Sequence, residues 1–220
     1  MKSFTKMLSV LILGPFVFLI GCATLERGSG DQVRLKEPRI QHVPKSQWTA
    51  EQDKLLTPWK GPDGSVINVF TTLANSPKFM EAWNPFGLYV LRGQTLPPRD
   101  REILILRIGW LCRAEYEFGR HRIVGKRVGL TDEEIDRIPE GAKATGWSAF
   151  DATLIRATDE LYYNSFITDT TWNALAQRYN QEQLVDVVGT VGQYTLVSML
   201  LNTFGVQLEP GVPGYPKGKK

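Results

Sequence analysis

The residues best suited to chemistry crowd into one stretch, Leu96 to His121, which reads LPPRDREILILRIGWLCRAEYEFGRH. The chain has two histidines, and His42 falls in a polar N-terminal region, so His121 is the imidazole of the main body. An imidazole titrates near neutrality and is therefore a ready proton carrier. Glu117 stands four residues earlier, on the same helix face and within reach. A carboxylate beside an imidazole fixes its tautomer, favours its protonated form and supports proton transfer. Taken alone, a Glu-x-x-x-His pair is more often a solvated surface contact. Glu102, in the first turn of a strongly apolar helix, is a second carboxylate placed for burial. Glu102 and His121 are 19 residues apart, which on one unbroken helix would be roughly 28 Å. They share a site only if the chain turns between about Trp110 and Glu115. No glycine or proline marks that turn, and periodicity leaves it open.

The elements that must position these groups read as helices. Ser76-Pro77 is a cap followed by proline at the first helical position, and Phe79, Met80 and Trp83 follow at helical spacing. Pro85 predicts a kink or a break. Pro97-Pro98 opens the next helix, with Asp100 and Glu102 where the dipole favours negative charge. Gly129 closes a helix, Thr131 and Glu134 form a capping-box pattern, and Leu130 and Ile135 flank it as a hydrophobic staple. Phe150, Leu154, Ala157, Thr158 and Leu161 mark one face of another helix. Thr168 caps the next, with Ile167 stapled to Trp172, and Trp172, Leu175, Ala176 and Tyr179 at helical spacing. The last helix, about Gln181 to Phe204, is apolar on nearly every side. The expected fold class is all-α. Ile103–Leu111 and Leu184–Phe204 both need cover on more than one face, which predicts a homo-oligomer over a monomer with two central helices.

The start of the chain reads as an export signal. Lys2 and Lys6 precede an almost wholly apolar run, Met7 to Ile20, shorter than the ~20 residues a membrane span needs. Leu19-Ile20-Gly21-Cys22 resembles the bacterial lipoprotein box, which implies cleavage before Cys22 and a diacylglycerol on its sulfur. The expected organisation is a signal peptide over 1–21, a lipidated cysteine and tether over 22–54, a domain over 55–209 and a flexible tail over 210–220. The expected place is the bacterial cell envelope, lipid-anchored on the periplasmic side, and Ala23 after the cysteine resembles outer-membrane sorting. The formal charge of +3 falls to +1 when Lys2 and Lys6 are removed. With no basic run in the domain, nucleic acid is not an expected partner. Cys112 would then be the sole thiol, so no internal disulfide is expected.

Arg99-Asp100-Arg101-Glu102, then Glu117 and His121, then Gly129-Leu130-Thr131-Asp132-Glu133-Glu134-Ile135 resemble the carboxymuconolactone decarboxylase family of the alkylhydroperoxidase D-like superfamily. The likeness runs from about Leu73 to Glu209, including Val191-Gly192-Gln193-Tyr194 to Asn202. It implies an all-helical fold with a helix break before Glu115, trimers or hexamers, and a pocket where Glu102 meets His121. Ala114-Glu115-Tyr116-Glu117 is similar to the thiol-free members. The peroxidase branch needs a C-x-x-C pair at the positions held here by Ala114 and Glu117, so a dithiol peroxidase cycle is not expected. Cys112 reads as a small buried apolar residue.

The decarboxylase branch keeps a glutamate and a histidine at the Glu117 and His121 positions. The resemblance implies His121 as proton donor, with Glu117 and Glu102 setting its protonation, and no cofactor. Arg99 is a candidate clamp for a substrate carboxylate, against the alternative of a helix-start arginine paired with Asp100 or Glu102. Tyr116 is a candidate pocket residue, and Trp83 and Trp110 a candidate apolar wall. Breakdown of aromatic acids through that lactone is cytoplasmic, whereas this chain carries an export signal, so a different small substrate is expected. Two rivals stand beside a cofactor-free acid–base enzyme on a small carboxylated or carbonyl compound. One is a non-catalytic envelope module on the same fold. The other is a metal site built from Glu102, Glu117 and His121.

Overall fold

A computed structural model describes residues 35–218. The expected signal peptide and Cys22 lie outside the described residues. Among the described residues all regular structure is helical, with no strand. The α-helices of the described residues follow in order: α1 Ala50–Leu56, α2 Asn68–Leu73, α3 Pro77–Leu88, α4 Pro98–Leu111, α5 Glu115–Arg127, α6 Asp132–Arg137, α7 Ala149–Asn164, α8 Asp169–Ala176 and α9 Gln181–Phe204.

The centre of the fold is α4, which packs against α5, α7 and α9 at once. Ile103, Leu104, Ile105, Leu106 and Ile108 are completely buried, so this stretch finds its cover within the single chain. Burial at that density also encloses charges, and each is paired, as an enclosed charge must be. Arg107 donates to Asp159 at 2.6 Å and to the Ile138 carbonyl at 2.8 Å. Asp100 accepts from the Tyr179 hydroxyl at 2.7 Å.

Local signals set several boundaries. Thr131 and Glu134 make the reciprocal capping box that opens α6, with Leu130 and Ile135 both buried beside it. Asn180 and Gln183 do the same for α9. Pro85 does not break α3; the helix runs through it and widens into a π-turn over Tyr89–Gly93. Asp186 of α9 then fastens the turn, accepting from the Tyr89 hydroxyl at 2.6 Å and the Thr95 amide at 3.0 Å. On α8 the buried face is Thr171 and Leu175, continued by Tyr179 beyond the helix end; Ile167 is buried and Trp172 is exposed.

Two expectations of loose chain are corrected. Residues 35–54 are not a free tether. The Arg39 amide donates to the Phe204 carbonyl at 2.8 Å and the Val43 amide to the Thr71 carbonyl at 3.1 Å. Thr49 and Gln52 form a capping box for α1, which spans the expected boundary. The tail is not flexible where it crosses α5. Tyr215 packs edge-on against Trp110 and Phe118, with ring centroids 4.8 and 5.3 Å away. A side chain at Gly119 would strike the Pro213 carbonyl, so the glycine is what lets the tail lie down there.

Among the described residues, one face of α9 stays uncovered. Val185, Val188, Leu196 and Met199 are exposed along it, and Gly189 and Gly192 between them face open space.

Candidate active site

The turn that the site requires exists. After Leu111 the chain passes through Arg113 at φ 54°, in the left-handed region, and restarts as α5 at Glu115. The Ala114 amide donates to the Gly109 carbonyl at 2.8 Å and so closes the reversal. A non-glycine residue rarely adopts this backbone, which is why the sequence carries no turn signal there. Gly109 of α4 faces α5, and a Cβ there would sit at van der Waals distance, 3.4 Å, from Glu117 Cγ.

Folding α5 back on α4 brings the three candidate catalytic residues together. His121 Nδ1 donates to Glu102 Oε2 at 2.6 Å, with Glu102 completely buried. On the other side of the ring, His121 Nε2 lies 3.0 Å from Glu117 Oε1. That contact is an ion pair at hydrogen-bond distance without the alignment of a hydrogen bond, since Glu117 Oε1 has no aligned donor. Arg101 Nε donates to the second oxygen of Glu102 at 3.2 Å. The result is a buried row of alternating charge: Arg101, Glu102, His121, Glu117.

Burial by itself lowers the imidazole pKa, but Glu102 first and Glu117 second more than reverse this and hold it up to about 10. His121 is therefore an imidazolium at neutral pH. Tyr194 meets its ring edge-on at a centroid distance of 5.0 Å. Burial first, then the two carboxylates, keep the Tyr194 hydroxyl protonated.

Glu117 and His121 form part of the wall of a cavity of about 800 Å³, while Glu102 sits behind the imidazole. Trp59, Phe70 and Trp83 form an aromatic wall. Trp59 stacks on Phe70 at 4.0 Å and 18°, and on Trp83 at 5.7 Å and 25°. Lys60, Arg92, Arg120 and Arg127 supply cationic lining, and Gln193 and Tyr194 come from α9. A smaller hollow of about 230 Å³ lies on the other side of Tyr116, near Asn202 and Leu208. Its lining includes neither His121 nor Glu117.

Tyr116 does border the cavity, but its hydroxyl is engaged elsewhere. It donates to Glu209 Oε1 at 2.7 Å and accepts from the Val69 amide at 3.2 Å. Burial and then Glu209 push its pKa well up. Glu209 also accepts from the Asn68 amide at 2.7 Å and from Arg120 at 3.4 Å.

Arg99 is corrected as a substrate clamp. Its guanidinium donates to Asp151 at 2.8 Å and to Glu134 at 2.6 Å, and it does not reach the cavity. These acids come from α7 and α6, so its partners are neither Asp100 nor Glu102. Trp83 is in the wall as expected; Trp110 instead packs with Phe118 and Tyr215. The sequence reading missed Trp59, Arg92, Arg120 and Arg127. Only Arg120, adjacent to His121, had a positional hint; the others reach the cavity through tertiary packing.

Burial pushes the Cys112 thiol up to about 11, against a weaker opposing contact from Ser198. Such a thiol stays protonated and is a poor nucleophile. Among the described residues, no group of three or more His, Cys, Asp and Glu side chains is placed to hold a metal ion. Both ring nitrogens of His121 face carboxylates, an arrangement that suits an imidazolium rather than a metal ligand.

Solved structures share this architecture. The chain is similar to an uncharacterised peroxidase-related protein with an alkylhydroperoxidase D core from Ralstonia eutropha JMP134, with a TM-score of 0.66 and 16% identity over 78% of this chain and 93% of that one. A peroxidase-related protein from Silicibacter sp. TM1040 superposes with a TM-score of 0.64 and 12% identity over 84% of this chain and 96% of that one. The debrominase Bmp8 gives a TM-score of 0.63 and 10% identity over 78% of this chain and 92% of that one. No curated protein matches the sequence. The fold is thus of the all-helical alkylhydroperoxidase D-like class. Residues 77–160 match the model of the carboxymuconolactone decarboxylase family. The late run from Val191 to Asn202 lies beyond the matched stretch.

Proposed function

We propose that the protein is a cofactor-free acid–base enzyme acting on a small carboxylated or carbonyl compound bound in the large cavity. The observation that carries this reading is the imidazolium of His121 at the cavity wall, held between Glu102 and Glu117. Glu102, behind the ring, fixes its orientation and its charge. The proton between Nε2 and Glu117 Oε1 is the one a substrate can reach. Donation to a carbanion-like carbon leaves a neutral imidazole whose Nδ1–H still bonds Glu102. In the reverse sense, Glu117 Oε1 accepts a proton from a carbon acid beside the cationic ring. The debrominase of the same fold supports an enzyme of some kind, without passing its substrate to this chain.

The test is a screen of lactones and keto acids against the full-length chain in detergent, with peroxides as negative controls. Turnover that falls about 10²–10⁴-fold in His121→Gln, with folding intact, is the expected result. Unchanged turnover in that variant would overturn the assignment.

The N-terminal pattern supports a protein held by lipid on Cys22 in the bacterial cell envelope, on the periplasmic side. Metabolic labelling with a fatty acid should mark the wild-type chain and not Cys22→Ser. The apolar face of α9 supports a homo-oligomer. Met199→Glu on that face should lower the molar mass measured by light scattering.

A further inference from the structure

We infer that the cavity is built for a planar aromatic carboxylate, larger than a single ring, with its flat face on the tryptophan wall and its carboxylate among the arginines. The inference deepens the acid–base reading by naming its substrate class; the binding it requires does not depend on turnover.

Size comes first. A volume of about 800 Å³ lies in the range of cavities that enclose ligands of drug size. A single-ring lactone acid would leave most of it filled with water. Shape follows from the wall. Trp59 lies within 25° of parallel to Trp83 and within 18° of Phe70, which covers one of its faces at 4.0 Å, so one side of the cavity is the surface of a stack of aromatic rings. Such a surface favours a ligand that stacks, by offset face-to-face contact.

Charge gives the second requirement. Besides the His121 imidazolium, four cationic side chains line the cavity against two carboxylates, Asp63 and Glu117. Lys60 is already paired with Asp53 at 2.8 Å, and Arg120 contacts Glu209 at 3.4 Å. Arg92 donates to the Pro58 carbonyl at 3.0 Å and stands 5.8 Å over the Trp59 ring, with no acidic partner among the described residues. Arg127, exposed near the end of α5, likewise has no acidic partner among the described residues. Two guanidinium groups thus remain for an anion, with the forked geometry that fits a carboxylate.

Independent evidence for a bound molecule comes from polar atoms left unmatched. Trp83 Nε1 and Gln193 Oε1 each lack a hydrogen-bond partner, although their residues are 8% and 4% exposed. By contrast, Trp59 Nε1 donates to Asn84 Oδ1 at 3.0 Å. Both unmatched side chains belong to this cavity. Leaving such atoms unpaired costs about 1–3 kcal/mol each. A carboxylate supplies an acceptor for the indole N–H and removes that cost at Trp83.

The experiment is titration calorimetry on the full-length chain in detergent, with ligand dilution into matched micelles subtracted. The probes are 2-naphthoate, 2-naphthalenemethanol and decahydro-2-naphthoate. The inference expects 2-naphthoate to bind at least ~10-fold more tightly than the uncharged alcohol and the saturated, non-planar acid. The doubly substituted Arg92→Gln, Arg127→Gln chain should bind 2-naphthoate about as weakly as the alcohol, with alcohol binding unchanged. Both arginines are exposed, so the fold should tolerate their loss. Equal affinity for naphthoate and alcohol, equal affinity for the planar and saturated acids, or no binding of naphthoate would each overturn it. His121→Gln separates the two claims. Naphthoate binding kept in that variant, with no aromatic acid turned over by the wild type, would sink the acid–base reading alone. Turnover of a small aliphatic acid without naphthoate binding would sink the aromatic class alone.

Discussion

Glu102 and His121, 19 residues apart, meet at 2.6 Å because α4 and α5 form a hairpin around a left-handed Arg113. The contact joins a completely buried carboxylate to an imidazole at the wall of the cavity. The charge of His121 depends on this contact more than on any other.

Glu102→Gln should therefore bring the His121 midpoint down from about 10 by more than ~1 unit, each unit being about 1.4 kcal/mol of lost charge interaction. The check is an NMR titration of the His121 ring, with His42 as internal reference. A midpoint unmoved from the wild-type value would contradict the assigned pairing.

The same shift makes stability depend on pH in a defined direction. A group whose pKa is raised on folding stabilises the native state most below its unfolded pKa, ~6.5 for histidine. That contribution declines above this value and is gone once the pH has passed the folded pKa of about 10. Thermal denaturation from pH 6 to pH 10 should show a falling Tm in the wild type. In His121→Gln the fall should be shallower, the difference being what this one group supplies.

Cys112 should behave as an inert thiol. Burial holds its pKa up to about 11, so alkylation at pH 7.5 should be much slower than for a free cysteine thiol. Cys112→Ala should leave any turnover on lactones or keto acids essentially unchanged. A peroxide-dependent activity lost in that variant would contradict the acid–base assignment.

Glu209 ties the C-terminal segment to the cavity wall through Tyr116, the Asn68 amide and Arg120. Glu209→Ala leaves the buried Tyr116 hydroxyl and the Asn68 amide without that acceptor, at a cost of about 1–3 kcal/mol. Urea denaturation measures the loss. Hydrogen exchange should show faster exchange across residues 206–216 in the variant.

Gly119→Ala tests the seat of the tail. The added methyl would strike the Pro213 carbonyl, which must move or lose its contact. The expected destabilisation is about 1–3 kcal/mol, with Tyr215 displaced from Trp110 and Phe118. Near-ultraviolet circular dichroism should register the loss of that aromatic packing.

How much was legible beforehand can be judged from particular residues. Thr131 with Glu134 announced α6, and Gln181–Phe204 announced α9, because caps and periodicity are local. Glu117 and His121 paired as their spacing required. The α1 capping box was overlooked because seven residues show too little periodicity to stand out. Arg99 was misassigned because Asp151 and Glu134, its partners, lie 52 and 35 residues away. The cationic lining at Arg92 and Arg127 gave no warning, since an exposed arginine looks the same in sequence whether or not a cavity opens beside it.

The sequence alone determined the helical class, the pairing of Glu117 with His121 along one helix face, and the absence of a C-x-x-C pair. These follow from residue order and short-range geometry, which the chain carries wherever it folds. Tertiary structure decided that Glu102 faces the imidazole, that Arg99 turns away, and that Trp59, Trp83 and the arginines surround a common hollow. Each depends on how helices far apart in sequence pack around α4, and that packing is set by mutual burial rather than by any one segment.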